Sequence, residues 1–457
     1  MSWIKPCFLW KVAKEDMATK WKEQIAPPIL KDTFWISLFT LIGKAAGFII
    51  PVFLAQCFGV GRQTDVFFYL YGVVLFLGGI FVPLMDSVVV PFVAEMKQSC
   101  PEQISPFVGK IFFLSLFSLF ALSVGFSSVS NFFFAPLTKF DPSALRLLQG
   151  LTWEISPVIV LMVISAFLGG ILNAEKIFWL PALAPFFRSC STLLVIYLFH
   201  SKWGIHAVTW GYSLGETVRF ALLLTACWYK KLLAIPSNLI LDAQLKHFFQ
   251  TSLYLLLGLI AIGTCPLVDK TMASWLQPGS VTILEYGDRI YQIPITFLCT
   301  GFFVVLLSHW SEEYHTISPE KFFQNVQNSL YAIAFIAIFL TVFVLIAKEQ
   351  IVQVIYQRGK FSPQYIQPVA EVMGIYFWGL LPTLIDFALL RIIIIQKSTI
   401  VFFYTSVLHF LLNFCLNLIL TPLLGVKGLA LSTTITHYCI GIFLYVKVSQ
   451  NLKSRIS

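Results

Sequence analysis

The chain has 457 residues, of which 58% are hydrophobic and only 12% are charged, and its mean hydropathy is +0.82. Soluble domains are about half apolar and about a quarter charged, so this composition excludes a protein that buries all its apolar surface in one aqueous core. The net charge of +9 does not indicate nucleic-acid binding, because the basic residues concentrate in the predicted loops and tails.

Apolar stretches near the spanning length of about 20 residues recur along the whole chain. They predict twelve transmembrane helices, at residues 33–57, 66–92, 107–130, 154–172, 178–199, 205–229, 247–268, 288–308, 327–347, 366–390, 399–421 and 427–447. The hydrophilic connections between them are too short to be separate domains. The sequence therefore predicts an all-α polytopic membrane protein whose function resides in the helix bundle.

The distribution of lysine and arginine predicts the orientation of the chain. Residues 1–32 carry several lysines, as expected of a cytoplasmic segment, and the linker at 230–246 is also basic. An even number of spans returns the tail, residues 449–457, to the same side. We therefore predict that both termini are cytoplasmic.

Two patterns recur at nearly the same spacing along the chain. A glycine-containing turn precedes both Asp65 and Asp288, which are 223 positions apart (288 minus 65). Similar segments begin at Gly204 and Gly425, which are 221 positions apart (425 minus 204). The alternative is that small residues simply recur at loop ends in any membrane protein.

The repeat predicts two six-helix lobes around a central cavity, related by a pseudo-two-fold axis. The N-lobe is residues 33–229, and the C-lobe is residues 247–448. Many transporters use repeated halves of this kind to build a midplane site that opens to alternate sides.

Sequence motifs of enzymes are missing from the chain. It contains no Walker-type phosphate loop, no HExxH and no GxSxG, and its nine cysteines form no CxxC pair. We therefore predict a protein that is not an enzyme and that has no bound cofactor.

Ionisable residues inside predicted spans mark the candidate functional positions, because each costs several kcal/mol unless it is paired or hydrated. They are Lys44, Asp65, Asp86, Glu154, Arg188, Glu216, Arg219, Asp269, Asp288, Arg289, Glu371, Asp386 and Arg391. Lys44 lies deep in the first span, where a water-filled cavity explains it better than the alternative, a side chain that snorkels to the interface. Arg289 is either an interfacial anchor or a cation that meets an anionic ligand, and Asp269 is either an interfacial partner of Lys270 or a cation ligand.

Five stretches carry a resemblance to a known family. They are FGVGRQTDVFF at 58–68, ILNAEKIFWLPALAP at 171–185, VDKTMASWLQPGSVTILEYGDRIYQIP at 268–294, IYQRGKF at 355–361 and GVKGLALSTTI at 425–435. The chain resembles the MurJ/MviN group of lipid-linked precursor flippases, within the multidrug/oligosaccharidyl-lipid/polysaccharide exporter superfamily. The resemblance implies a bacterial cytoplasmic-membrane location, alternating access and an undecaprenyl-linked peptidoglycan precursor as cargo.

The resemblance also implies two sets of site residues. The predicted substrate-binding residues are Lys44, Asp65, Asp288 and Arg289. Some members of the family bind sodium, and the corresponding predicted ligands are Asp269, Asn413, Asn417 and Thr433. The family usually has Asp at the position of Asn417, which weakens the predicted site, and the two asparagines are alternatively expected to hydrogen-bond between helices.

The chain departs from the family pattern at several positions. Family arginines fall here at Ile50, Gly78 and Gly79, and a family glutamate falls near Pro83. The usual fourteen helices are twelve in this chain. The cavity is therefore expected to bring fewer cations to a pyrophosphate, and Lys44 lacks the planar fork of an arginine.

Three functions are consistent with the sequence. The leading hypothesis is a flippase for a lipid-linked, pyrophosphate-bearing saccharide, lipid II above all, with sodium or the membrane potential driving the cycle. The second is a cation-coupled drug or ion antiporter that uses Asp65, Glu154 and Asp386. The third is a non-transporting scaffold that recruits cell-wall enzymes. The partners expected are a lipid-linked saccharide and membrane lipids, with no nucleic acid.

Overall fold

A computed structural model of the chain describes residues 26–99, 104–235, 260, 263–300, 302–396 and 399–453. The described residues form fourteen α-helices. They are α1 (Ala26–Phe58), α2 (Arg62–Ser99), α3 (Ile104–Leu137), α4 (Pro142–Ala174), α5 (Trp179–Trp203), α6 (His206–Tyr229), α7 (263–273), α8 (Ser280–Thr300), α9 (Phe302–Thr316), α10 (Pro319–Tyr356), α11 (Ile366–Trp378), α12 (Leu380–Ile395), α13 (Thr399–Leu424) and α14 (Val426–Lys453).

Most of the predicted spans coincide with one helix each. The predicted span 288–308 differs, because its helix already begins at Ser280 and is followed by α9. The eight residues before 288 include three buried polar residues, Ser280, Thr282 and Glu285, so hydropathy alone places the start of the helix too late. The predicted span 366–390 is divided into α11 and α12, which bend by 43°. Most of the predicted span 247–268, like most of segment 1–32 and linker 230–246, lies outside the described residues.

Eight of the described helices are long and apolar enough to cross a membrane, and the bent pair of α11 and α12 makes a ninth. The helices α6 and α8 have 24 and 21 residues, but they carry the charged residues of the interior. Charged groups that face a cavity lower the hydropathy of a span without exposing charge to lipid. The prediction of an all-α membrane protein is confirmed.

The helices pack as two sets. The helices α1–α6 form one set of mutual contacts and α8–α14 form another, and the two sets meet chiefly where α1 and α2 contact α8. Aromatic packing joins the sets there, with the rings of Phe68 and Tyr286 5.4 Å apart. The lobes therefore touch along a narrow seam.

Four glycines with positive φ support the internal repeat. Gly59 (φ 69°) and Gly279 (φ 97°) precede α2 and α8, and they are 220 positions apart (279 minus 59). Gly204 (φ 56°) and Gly425 (φ 60°) precede α6 and α14. Residues with a side chain disfavour this conformation, so glycine at these matching positions indicates that the same turn occurs in both halves. At a spacing of 220, Asp65 corresponds to Glu285 and not to Asp288 (65 plus 220 is 285).

The two lobes meet backbone to backbone at the end of the molecule where α1 finishes and α2 begins, which we call the α1–α2 end. The amide of Lys360 donates to the carbonyl of Gln56 at 2.8 Å. A Cβ on Gly59 would lie 2.5 Å from the carbonyl oxygen of Lys360, and one on Gly359 would overlap that of Gln56. Glycine at these positions lets the lobes close.

We expect Gly359→Ala to hold the α1–α2 end open. The added methyl group cannot fit against the Gln56 carbonyl, and the φ of +57° adds strain of about 1–2 kcal/mol. Gly425→Ala is the matched control, since Gly425 has a φ of +60° but nothing within 4 Å of its Cβ position. The measurement is the rate at which a maleimide labels Cys57, which is 7% exposed at the end of α1. Faster labelling is expected only for Gly359→Ala, and equal rates in the two variants would contradict the role assigned to this contact.

Candidate functional site

A cavity of about 270 Å³ lies between the lobes, where α1, α2, α5, α6 and α8 converge. Its lining residues are Gly43, Lys44, Gly47, Phe48, Ile50, Pro51, Tyr71, Leu75, Pro185, Arg188, Tyr212, Arg289 and Thr296. Three of these residues are cationic, and we call this space the central cavity. It contains two of the four predicted substrate-binding residues, Lys44 and Arg289.

Lys44 projects from the middle of α1 and is exposed to the central cavity. Among the described residues it has no ion-pair partner. A lysine at this depth needs water or an anion to stabilise its charge. Lys44 is therefore a cation available to a ligand.

Arg188 of α5 enters the cavity beside Lys44, although it is not among the predicted substrate-binding residues. Its Nη1 lies 3.1 Å from Glu216 of α6, and Arg219 lies 3.5 Å from the other oxygen of that carboxylate. Glu216 is 1% exposed, so the carboxylate is shared between two arginines inside the bundle. The signal in the sequence was a pair of opposite charges in two consecutive predicted spans.

Arg289 of α8 is held by a second shared carboxylate. Its Nη2 and Nε lie 2.5 and 2.6 Å from Glu285, one turn earlier, and Lys270 lies 2.6 Å from the other oxygen of Glu285. The guanidinium also lies 5.8 Å from the ring centre of Tyr71, across the seam from α2. Lys270 and Glu285 were missed as site residues because both fall in the predicted connection between the seventh span, which ends at 268, and the eighth, which begins at 288.

The electrostatic balance of the central cavity is positive. Its lining includes three cations, Lys44, Arg188 and Arg289, and no acidic residue. The carboxylates that pair with the two arginines, Glu216 and Glu285, are each shared with a second cation, Arg219 or Lys270. Carboxylates hold the arginines in fixed orientations, and arginine forks suit phosphate oxygens. The arrangement suits an anion that carries several phosphate oxygens.

Asp65 lies outside the central cavity, at the α1–α2 end. Its carboxylate accepts hydrogen bonds from the amides of Gly279 (2.6 Å) and Thr282 (2.8 Å) and from the Thr282 hydroxyl (2.7 Å). It is 1% exposed and caps the first turn of α8 across the seam. Its predicted role in substrate binding stays a prediction, and its contacts in this conformation join the lobes.

A second cavity of about 300 Å³ lies within the C-lobe. It is lined by acidic and polar residues of α7, α8 and α11–α14, including Asp288, whose carboxylate accepts a hydrogen bond from Gln292 at 3.1 Å. We call it the C-lobe cavity. Asp288 and Arg289 are adjacent in sequence but line different cavities.

The four predicted sodium ligands come together at the C-lobe cavity. Asn417 donates to Asp269 at 2.6 Å and to Asn413 at 3.2 Å, and Thr433 donates to Asp269 at 3.1 Å. The Oδ1 atom of Asn417 is buried without a hydrogen-bond partner. Carboxylate, amide and hydroxyl oxygens are the ligands of hard cations, so this set fits sodium. Within the described ranges, no group of three or more His, Cys, Asp and Glu residues is placed to hold a metal ion.

The structure shows the contacts of two of the positions that depart from the family pattern. Ile50 is 1% exposed and packs in the core beside the central cavity. A Cβ on Gly78 would overlap the Cε of Met162. Neither position supplies a cation to the cavity, whose cations Lys44, Arg188 and Arg289 lie on α1, α5 and α8.

Comparison with known proteins identifies the family to which these features correspond. The family model described as "Lipid II flippase MurJ" matches residues 54–457. A probable lipid II flippase MurJ of Thermotoga maritima is 23% identical over 93% of this chain and 87% of that protein. One from Helicobacter pylori is 24% identical over 86% of this chain and 88% of that protein.

Solved structures show the same fold. A lipid II flippase MurJ in an inward closed conformation has a TM-score of 0.81 at 22% identity, covering 91% of this chain and 87% of that one. An inward-facing multidrug resistance MATE family transporter has a TM-score of 0.74 at 13% identity, covering 91% of this chain and 95% of that one.

Proposed function

Because this chain belongs to the lipid II flippase MurJ family, we propose that it moves a lipid-linked, pyrophosphate-bearing saccharide, lipid II above all, across the bacterial cytoplasmic membrane. The observation that supports this proposal is the central cavity, which is lined by three cations, Lys44, Arg188 and Arg289, and in which Lys44 has no ion-pair partner among the described residues. A pyrophosphate that binds in this cavity would exchange its hydrating water for charge-assisted hydrogen bonds to cationic side chains that are already held in position. The polyprenyl tail would stay in the bilayer.

The transport step would proceed by alternating access of the two lobes. The lobes touch at the α1–α2 end, and with the N-terminus in the cytoplasm this end faces outward. The described conformation would then be closed to the outside. Separation of the lobes at the seam would expose the headgroup there. An ion or the membrane potential drives this cycle only if it favours one conformation over the other.

Complementation tests the proposed function. The chain is expected to restore growth of a bacterial strain depleted of its own lipid II flippase, and the control is the same chain with Lys44→Ala and Arg289→Ala at equal abundance. Failure of the wild-type chain to restore growth, although it is inserted and abundant, would contradict the proposal.

We also propose that sodium binds at Asp269, Asn413, Asn417 and Thr433. In Asn417→Asp a second carboxylate replaces the buried amide whose Oδ1 has no partner, so we expect sodium to bind at least about tenfold more tightly. The measurement is radioactive sodium binding to the purified chain. Asn413→Ala, which removes one oxygen ligand, should weaken binding, and equal affinity in both variants would exclude this site.

One observation favours the antiporter as a second candidate. Asp386 lines the acidic C-lobe cavity, while Asp65 caps α8 and Glu154 is bonded to His206 at 2.7 Å. A cation site in the C-lobe is compatible with either cargo. Drug efflux from cells that express the chain, sensitive to Asp386→Asn and with no rescue of flippase depletion, would favour the antiporter.

A further inference from the structure

The C-lobe cavity contains a second polar cluster, made of side chains from four helices. His437 of α14 lies 2.8 Å from a carboxylate oxygen of Asp386 on α12. The ring of His409 on α13 packs edge-on against His437, with the ring centres 5.0 Å apart. The Nδ1 atom of His409 lies 3.5 Å from the thiol of Cys265 on α7. We call these four residues the histidine cluster.

The histidine cluster is separate from the predicted sodium ligands. Asp269 and its three partners bond to one another, and among the described residues no hydrogen bond joins them to the cluster. Both groups line the same cavity. The cavity therefore holds two polar sites, of which only one has a counterpart in the family resemblance.

The second oxygen of Asp386 has no polar partner. Asp386 is 5% exposed, and its Oδ1 is buried without a hydrogen bond. A Cβ on Gly441 would lie 3.0 Å from this oxygen, so glycine leaves room for the carboxylate against α14. A buried carboxylate with one unpaired oxygen is costly when ionised and needs a compensating positive charge.

The other charged groups of the cavity do not supply that positive charge. From α7 the cavity is faced by Asp269 and Lys270, and from α8 by Glu285 and Asp288. Lys270 is committed to Glu285 at 2.6 Å. Asp269 and Asp288 add negative charge, and α13 and α14 contribute His409 and His437. The remaining titratable groups at the cavity wall are Cys265 and the phenols Tyr291 and Tyr376.

We propose that Asp386 and His437 form a proton-binding site in the C-lobe cavity. The proton comes from water and is held on the hydrogen bond between the carboxylate and the imidazole, and no other bond changes. This proposal does not depend on the identity of the cargo.

The position of the site connects proton binding to helix packing. Asp386 lies on α12, after the 43° bend that divides the tenth span, and His437 lies on α14. Near the bend, the Thr434 hydroxyl of α14 donates to the carbonyl of Ile375 on α11 at 2.9 Å. Gain or loss of the proton changes the charge between α12 and α14. A proton can therefore favour one arrangement of the bent span over another.

Histidine NMR of the full chain tests the proposal. The chain is labelled with ¹⁵N at histidine, placed in lipid nanodiscs in sodium-free buffer and titrated from about pH 5 to about pH 9. The His437 signals are assigned by their loss in His437→Gln. In Asp386→Asn we expect their titration midpoint to shift by at least about one pH unit, because the carboxylate that shares the proton is gone.

A second histidine–carboxylate pair provides the control within the same molecule. His206 lies 2.7 Å from Glu154 in the N-lobe, and its titration should not change in Asp386→Asn. Asp386→Glu keeps the carboxylate and should leave His437 closer to wild type than Asp386→Asn does. Absence of any His437 titration in this range, or identical midpoints in wild type and Asp386→Asn, would overturn the proposal. The readout needs no lipid II, so it succeeds or fails independently of the proposed flippase function.

Discussion

Lys44→Ala combined with Arg289→Ala is expected to reduce lipid II translocation at least about 100-fold, because each cation contributes about 1.5–3 kcal/mol when it bonds to a charged phosphate in a water-poor cavity. The two side chains approach the central cavity from opposite lobes, on α1 and α8. A pyrophosphate between them would contact both lobes at once. The measurement is translocation of labelled lipid II into proteoliposomes that contain equal amounts of each variant.

The single variants separate ligand binding from folding. Lys44→Ala breaks no ion pair among the described residues, so its effect of about tenfold should appear without loss of thermal stability. Arg289→Ala leaves Glu285 with Lys270 alone, and Arg289→Lys keeps the charge and tests whether the fork matters. Lys202→Ala removes an exposed cation from the last turn of α5 and should have no effect. Translocation at the wild-type rate in the double variant would exclude the cationic cavity as the binding site.

Hydropathy predicted most of the helices because lipid imposes a nearly constant length on every apolar span. It failed at α8, where Glu285 and Arg289 interrupt the apolar pattern although both are inside the bundle. A helix that faces a cavity must be polar on one side. These polar residues lower its mean hydropathy, so the beginning of the helix is not recognised from the sequence.

The resemblance to a family located sites that spacing alone could not. Asp269 and Asn417 are 148 positions apart in the chain, yet their side chains are 2.6 Å apart. No periodicity of a single helix predicts such a contact. The shared carboxylate of Glu285 could not be predicted for a related reason, because its pairing with Lys270 depends on how α7 packs beside α8.

The histidine cluster is another site that spacing in the sequence does not predict. His409, His437 and Asp386 have no spacing in the sequence that is typical of a shared site. Three helices bring them together, with Asp386 and His437 2.8 Å apart. The sequence did mark Asp386 as an ionisable residue inside a span. The sequence can therefore identify Asp386 as a candidate residue, but only the packing of the helices shows that His437 is its partner.

Asp65→Asn is expected to weaken the closed seam at the α1–α2 end by about tenfold or more in the ratio of closed to open molecules. The carboxylate accepts three hydrogen bonds from the first turn of α8, including two from backbone amides at the positive end of that helix. Asparagine has nearly the same shape but turns an NH₂ group towards one of these donors. Hydrogen bonds donated to a charged acceptor contribute about 1.5–3 kcal/mol each, so losing even one is enough for the expected change.

Labelling of Cys57 from outside the membrane measures this change. Cys57 lies at the end of α1 and is 7% exposed in the closed seam, so a membrane-impermeant maleimide should react faster with Asp65→Asn, and Cys57→Ser identifies the signal. Asp141→Asn is the control at the same end, where the carboxylate pairs with Arg62 at 3.2 Å on the surface. The hydrogen bond from Ser143 lowers the pKa of Asp141, so this control also removes an ionised carboxylate at neutral pH. Because Asp141 contacts only its own lobe, equal acceleration in both variants would mean that charge at this end, and not the cap on α8, holds the lobes together.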